Sequence, residues 1–117
     1  RHFNLLVFCS ELLENLEIKM FVNVIKSYRN VVAVCDEDIL GKVFEDKGFQ
    51  INVKENFYKG EQISREKLLK FFEKMSVEDV TFNIVGKDSV DVALEAGIAL
   101  KEEVGEIQGI PFILVLV

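Results

Sequence analysis

The chain has 117 residues, half of them hydrophobic and 29% charged, with a formal charge of -6 at pH 7. That length supports one domain with a core of its own, and the acidic balance argues against a protein that coats nucleic acid. The two cysteines, Cys9 and Cys35, share no metal-ligand spacing and are too few for a stapled scaffold, so the composition reads as a reducing, cytoplasmic setting with no disulfide, metal or cofactor.

Residues 5–9 form an apolar run, too short for the core of a signal peptide. Nothing in the chain approaches the roughly 20 apolar residues of a membrane span. Met20 is the first methionine, and a clear strand pattern begins with it. The domain is therefore expected to occupy residues 20–117, with residues 1–19 an extension upstream of the true start. Residues 21–26 predict a first strand, and Ser27, Tyr28, Arg29 and Asn30 a polar turn into a second. That second strand, residues 31–35, is apolar on both faces and belongs mid-sheet. Asp36, Glu37 and Asp38 follow at once, then Ile39, Leu40 and Gly41. This pattern predicts a single helical turn capped by Asp36 and closed by a left-handed Gly41. Residues 42–44 and 49–53, joined by a turn at 45–48, predict a second hairpin. Residues 54–60 read as a loop carrying Phe57 and Tyr58.

Ser64 opens the clearest helix, in which Leu68, Phe71, Phe72 and Met75 fall on one stripe, with Ile63 and Leu68 spaced as a hydrophobic staple. Residues 80–85 predict a strand. Gly86 and Lys87 lead into a further helix with Asp88 as its cap, and with Val90, Ala93, Leu94 and Gly97 on its apolar side. A short strand at 104–107 and a last strand at 112–117 complete the chain, with Pro111 where a strand can begin. Hairpins first and strand–helix–strand later give an α+β fold. Its mixed β-sheet is built from two N-terminal hairpins, with the helices packing on it.

Several short motifs occur in a characteristic order: Val32-Ala33-Val34-Cys35-Asp36-Glu37-Asp38-Ile39-Leu40-Gly41-Lys42, then Phe57-Tyr58-Lys59-Gly60, Asn83-Ile84-Val85-Gly86 and Gly109-Ile110-Pro111. In these the chain resembles the archaeal family called domain of unknown function 424, from Met20 almost to the C-terminus. The resemblance marks Cys35, Asp36, Gly41, Gly60, Gly86 and Pro111 as family-motif positions and implies fold and lineage, since no activity is established for the family. In that family the proline is followed by a polar His-Ala-Gln signature, whereas this chain has Phe112-Ile113-Leu114.

The sole histidine, His2, lies in the expected extension. Ser–His and Cys–His nucleophilic pairs and histidine-ligated zinc are therefore excluded from the domain. Cys35 alternates with apolar residues and reads as core, its thiolate further suppressed by the acids beside it. Asp36, Glu37 and Asp38 lack an EF-hand's spacing and read as a cap with two acids at a helix start. Gly86, Lys87 and Ser89 form a strand-to-helix corner suited to an anion or phosphate, although Asp88 competes for the same donors. Tyr28 with Arg29, and Tyr58 with Lys59, pair aromatic and basic residues as base-stacking surfaces do. The leading reading is a non-catalytic accessory or binding module that contacts RNA or a ribonucleoprotein through Tyr28, Arg29, Tyr58, Lys59 and Lys87. The alternatives are a small enzyme or sensor for a phosphorylated ligand at residues 86–89, and a protein–protein adaptor.

Overall fold

The computed structural model of the chain describes residues 19–116, and the expected extension, apart from Lys19, lies outside the described residues. Strand β2 (Asn30–Asp36) carries Val32 and Val34 toward one side and Ala33 and Cys35 toward the other, and all four are fully buried. β1 (Lys19–Ile25) pairs antiparallel with one edge of β2, Met20 facing Asp36 and Ile25 facing Val31. β6 (Val80–Val85) pairs parallel with the other edge, Asn30 facing Val80 and Cys35 facing Val85. The sheet is completed by β5 (Glu61–Ser64) beyond β1, and by β8 (Ile110–Leu116) and β7 (Gly105–Ile107) beyond β6. The order is β5-β1-β2-β6-β8-β7, mixed in direction as expected.

The second hairpin, β3 (Val43–Asp46) and β4 (Phe49–Asn52), stands as a separate two-stranded ribbon and does not extend the main sheet. The reason lies in β2, whose two edges are already taken by β1 and β6. The chain leaves β2 through a one-turn 3-10 helix (Glu37–Ile39) and carries the ribbon over the sheet's face. A second difference from the sequence reading is β5. Residues 61–64 look polar, and only Ile63 and Ser64 of the four are buried.

Helices cover the opposite face. α1 (Glu55–Tyr58) is a single turn on the ribbon side, whereas α2 (Arg65–Met75) and α3 (Lys87–Glu95) pack on the other. The stripe of α2 works as its spacing predicts. Leu68 and Phe72 are fully buried against Val32, Val34, Phe82 and Ile84, with Phe71 and Met75 packed at the margin. Ile63 and Leu68 share that core. α3 buries Val90, Val92 and Ala93, and it ends before Gly97, which does not join the stripe. The Gly97 N–H donates to the Leu94 carbonyl at 3.1 Å and the Ile98 N–H to the Ala93 carbonyl at 2.9 Å, a paired closure that satisfies the helix's last acceptors.

The second face is filled by Ala33, Cys35, Ile39, Val53, Tyr58 and Val85, with Phe44, Ile51, Phe57 and Phe112 around them. The protein thus has three layers: two helices, the sheet, and a thin cover of ribbon and α1. Phe72 is the anchor of the thicker side, its ring edge-on to Phe82 with centroids 5.7 Å apart. Phe72→Ala should lower unfolding free energy by about 3–5 kcal/mol. Urea denaturation followed by far-UV circular dichroism measures this, and a loss within experimental error of zero would contradict the packing.

Candidate functional site

Parallel pairing of β2 with β6 brings two chain corners to one end of the sheet. β2 finishes at Asp36, and β6 passes through Gly86 into α3. Asp36 is the acid of its trio that folding buries, while Glu37 and Asp38 stay exposed. Asp36 does not cap its own turn; no side-chain cap bond forms there. Its carboxylate caps α3 instead. Oδ1 accepts the Ser89 N–H at 2.8 Å and the Ser89 hydroxyl at 2.7 Å, and Oδ2 accepts the Asp88 N–H at 3.1 Å. Asp88, expected to cap this helix, lies in its first turn after Gly86. The helix N-terminus therefore receives its negative charge from a strand more than 50 residues earlier in the chain.

Gly86 makes this contact feasible. It sits at φ +115, and a Cβ built there would lie 2.4 Å from Asp36 Cγ. Its N–H donates to the Pro111 carbonyl at 2.9 Å, so β8 joins the same knot. Four of the positions that the resemblance marks, Cys35, Asp36, Gly86 and Pro111, thus converge. Gly60 belongs elsewhere, pressed against β1 where a Cβ would meet the Val22 carbonyl oxygen at 2.2 Å. Gly41 has the expected positive φ and closes the 3-10 turn, its N–H donating to Val53 at 2.7 Å.

The phosphate corner at Gly86, Lys87 and Ser89 is correspondingly altered. The N–H groups of Asp88 and Ser89, which an incoming anion would use, are held by the protein's own carboxylate. Lys87 is exposed beside them. The aromatic–basic set does not form one surface either. Tyr28 is fully exposed at the β1–β2 turn, where Arg29 forms an ion pair with Asp79. Tyr58 is buried, its ring edge-on to Phe57 with centroids 5.0 Å apart, and only Lys59 of that pair is exposed. Lys87 lies at the opposite end of β2 and β6 from Arg29, about 20 Å away for strands of this length.

Burial governs the chemistry of the groups near the knot. The Cys35 thiol is pushed up to about 12, first by burial and then by the charges of Asp36 and Asp38. The Tyr58 phenol is pushed up to about 12, by burial and then by Cys35. Burial also raises the Asp36 carboxyl from its ordinary value of 3.8, while the hydrogen bonds from Ser89 and Asp88 pull it back down. Among the described residues no group of three or more histidine, cysteine or acidic side chains is placed to hold a metal ion.

Two hollows flank the first turn of α3, and Lys87 lines both. One, about 390 Å³, lies between Asp36, Asp38, Ile39, Gly86, Asp88 and Ile110. The other, about 370 Å³, is floored by Val90, Leu94, Val104 and Pro111, with Lys101, Asp91 and Glu106 at its margin. Sequence reasoning missed Val90, Leu94, Val104, Lys101 and Glu106 as neighbours, because they meet only once β7 returns beside α3. Phe112, which follows Pro111, faces the other way, its ring centroid 5.5 Å from that of Phe49 on the ribbon. Ile113 is buried in the helix-side core and Leu114 is exposed.

Two measurements check these electrostatics. A carboxyl whose folded pKa is raised adds stability that is complete below its unfolded pKa and is lost as pH rises through the folded pKa. Asp36→Asn should therefore flatten the stability-versus-pH curve in the window just above 3.8, where wild type loses stability with rising pH; urea unfolding at a series of pH values reads this. In a Cys9→Ser variant, Cys35 should react with a maleimide at neutral pH only as fast as the protein unfolds, whereas rapid labelling of the native protein would contradict the raised thiol.

No curated protein matches the chain. A crystal structure of an uncharacterized conserved protein from Methanopyrus kandleri superposes with a TM-score of 0.72 at 30% sequence identity, covering 83% of this chain and 90% of that one. The family described as protein of unknown function (DUF424) matches residues 25–117, which take in β2, the Asp36 knot, both hollows and β8. The chain belongs to that family.

Proposed function

We propose that this protein is a cytoplasmic accessory module that binds a partner molecule at the sheet end where β2 and β6 finish, without making or breaking bonds. The observation that supports this reading is the engagement of the Asp36 carboxylate by Asp88 and Ser89. The reactive candidates beside it, Cys35 and Tyr58, both have their protons held up to about 12. Neither the thiol nor the phenol is poised to exchange a proton near neutral pH, where general acid–base groups must work. What the same end does offer is shape. In open sheets with parallel strands, ligands settle in the crevice outside the strands' carboxyl ends, and both hollows lie there with Lys87 between them. The free, buried thiol of Cys35 suits a reducing interior.

Contact with RNA or a ribonucleoprotein is a second reading, favoured by one observation, the full exposure of Tyr28 beside Arg29. It would use the opposite end of the sheet, so the two readings separate cleanly. Immobilised wild type, Lys87→Glu and Tyr28→Ala are each exposed to an archaeal lysate with and without nuclease. The expected result is a partner retained by wild type and Tyr28→Ala, lost from Lys87→Glu, and indifferent to nuclease. Retention that nuclease or Tyr28→Ala abolishes, and that Lys87→Glu leaves intact, would replace this reading with the RNA one.

A further inference from the structure

The two edges of the main sheet are built differently. At one edge, β5 is only four residues long and exposes Glu61 and Gln62. Short length and charge are common guards against unwanted strand pairing. At the other edge, β7 covers only the first part of β8. It faces Ile110, Pro111 and Phe112, while β8 runs on to Leu116. On its inner side β8 is paired with β6 along that whole remaining length. The outer side of residues 113–116 therefore meets no strand among the described residues. These residues are Ile113, Leu114, Val115 and Leu116, and no position from Ile107 to Val117 carries a charged side chain. Pro111 lies on the part that β7 covers. Leu114 is 61% exposed. The open half of β8 thus has neither lysine nor proline to guard it, and it presents a leucine to solvent.

We infer that two copies of the chain pair along this open edge, β8 against β8, and continue the sheet across a two-fold axis. The N–H and C=O groups along a strand edge select an extended strand, because only that shape offers acceptors and donors at the same spacing. The apolar side chains beside them select a strand without charge. A second copy meets both demands and has the same edge to cover, so one isologous contact closes two edges at once. Phe112 already faces Gly105, which keeps the copy beyond that residue. The first antiparallel register past β7 that keeps each face continuous sets Val115 opposite its own copy and Leu114 opposite Leu116. No charge then faces another. This inference goes beyond the binding-module reading, whose surface lies at the Lys87 end of the strands, where β8 begins.

Sedimentation equilibrium of the full chain over a range of concentrations, under reducing conditions, tests the inference. Hydrogen exchange of residues 112–117, read by mass spectrometry on the same samples, reports on the edge itself. The expected result is a species of twice the chain's mass that dissociates on dilution, with the amides of residues 113–116 slowing as it forms. Leu114→Lys places a guard at an exposed position and should weaken association about a hundredfold, since each dimer loses two buried leucines. Circular dichroism checks that this variant is folded. A monomer at every concentration overturns the inference, and so does a dimer that Leu114→Lys leaves unchanged or whose formation leaves those amides fast. Slow amides in a monomer overturn it too, because the chain would then be covering its own edge. If no dimer forms while Lys87→Glu still releases the lysate partner, the edge inference is wrong and the binding-module reading stands.

Discussion

The Asp36 carboxylate is the constraint on which this structure turns. A buried carboxylate is costly unless its oxygens are met by donors, and here the donors are the first N–H groups of α3 and the Ser89 hydroxyl. The helix also gains, since its N-terminal amides lack partners within the helix. One side chain therefore fixes where β2 ends, where α3 begins and how close the two come. Gly86 has no side chain for the same reason, because any Cβ would occupy the space of the carboxylate.

That link explains the arrangement of layers. Because β2 is paired on both edges, its apolar residues must be covered from both faces. Val32 and Val34 meet α2 and α3, while Ala33 and Cys35 meet the ribbon and α1. The two covers differ in kind. The helices bring branched and aromatic side chains in helical register, whereas the ribbon and single-turn α1 bring a few rings, among them Phe44, Phe57 and Tyr58. Burial of Tyr58 follows from that shortage of cover, and it removes from the surface a ring that a sequence reading places beside Lys59 for stacking on bases.

Much of the fold was legible, because period and length are strong signals where an element is buried on one stripe or on both faces. β2, α2, β6 and β8 all announce themselves in that way. β5 did not, since an edge strand with two polar, exposed residues looks like a linker until Met20 and Phe21 are seen opposite Ile63 and Gln62. The site was less legible for a different reason. A local reading assigns each cap to the nearest acid, giving Asp36 to the turn after it and Asp88 to its own helix. Folding instead sends Asp36 to α3, a choice set by the parallel register of β2 and β6, which no local pattern encodes. The motif order did carry the information in another form, since Cys35-Asp36, Gly86 and Pro111 meet at one end of the sheet.

The alternation of β8 decides what residues 112–114 touch. Successive side chains of a strand point to opposite faces, so Pro111 and Ile113 share the side of α3 and the apolar groove, while Phe112 and Leu114 share the side of the ribbon. On the ribbon side, Phe112 lies against Phe49 and above Gly105, where a Cβ would come within 2.5 Å of the ring. An aromatic residue there fastens the ribbon to the sheet by stacking, and a polar residue in its place would have to use hydrogen bonds. On the groove side, Pro111 still gives its carbonyl to Gly86 and its ring to the floor beneath Lys87. Phe112 therefore holds the thin layer from one side of β8, while Pro111 on the other side belongs to the Asp36 knot and to the hollow beside α3.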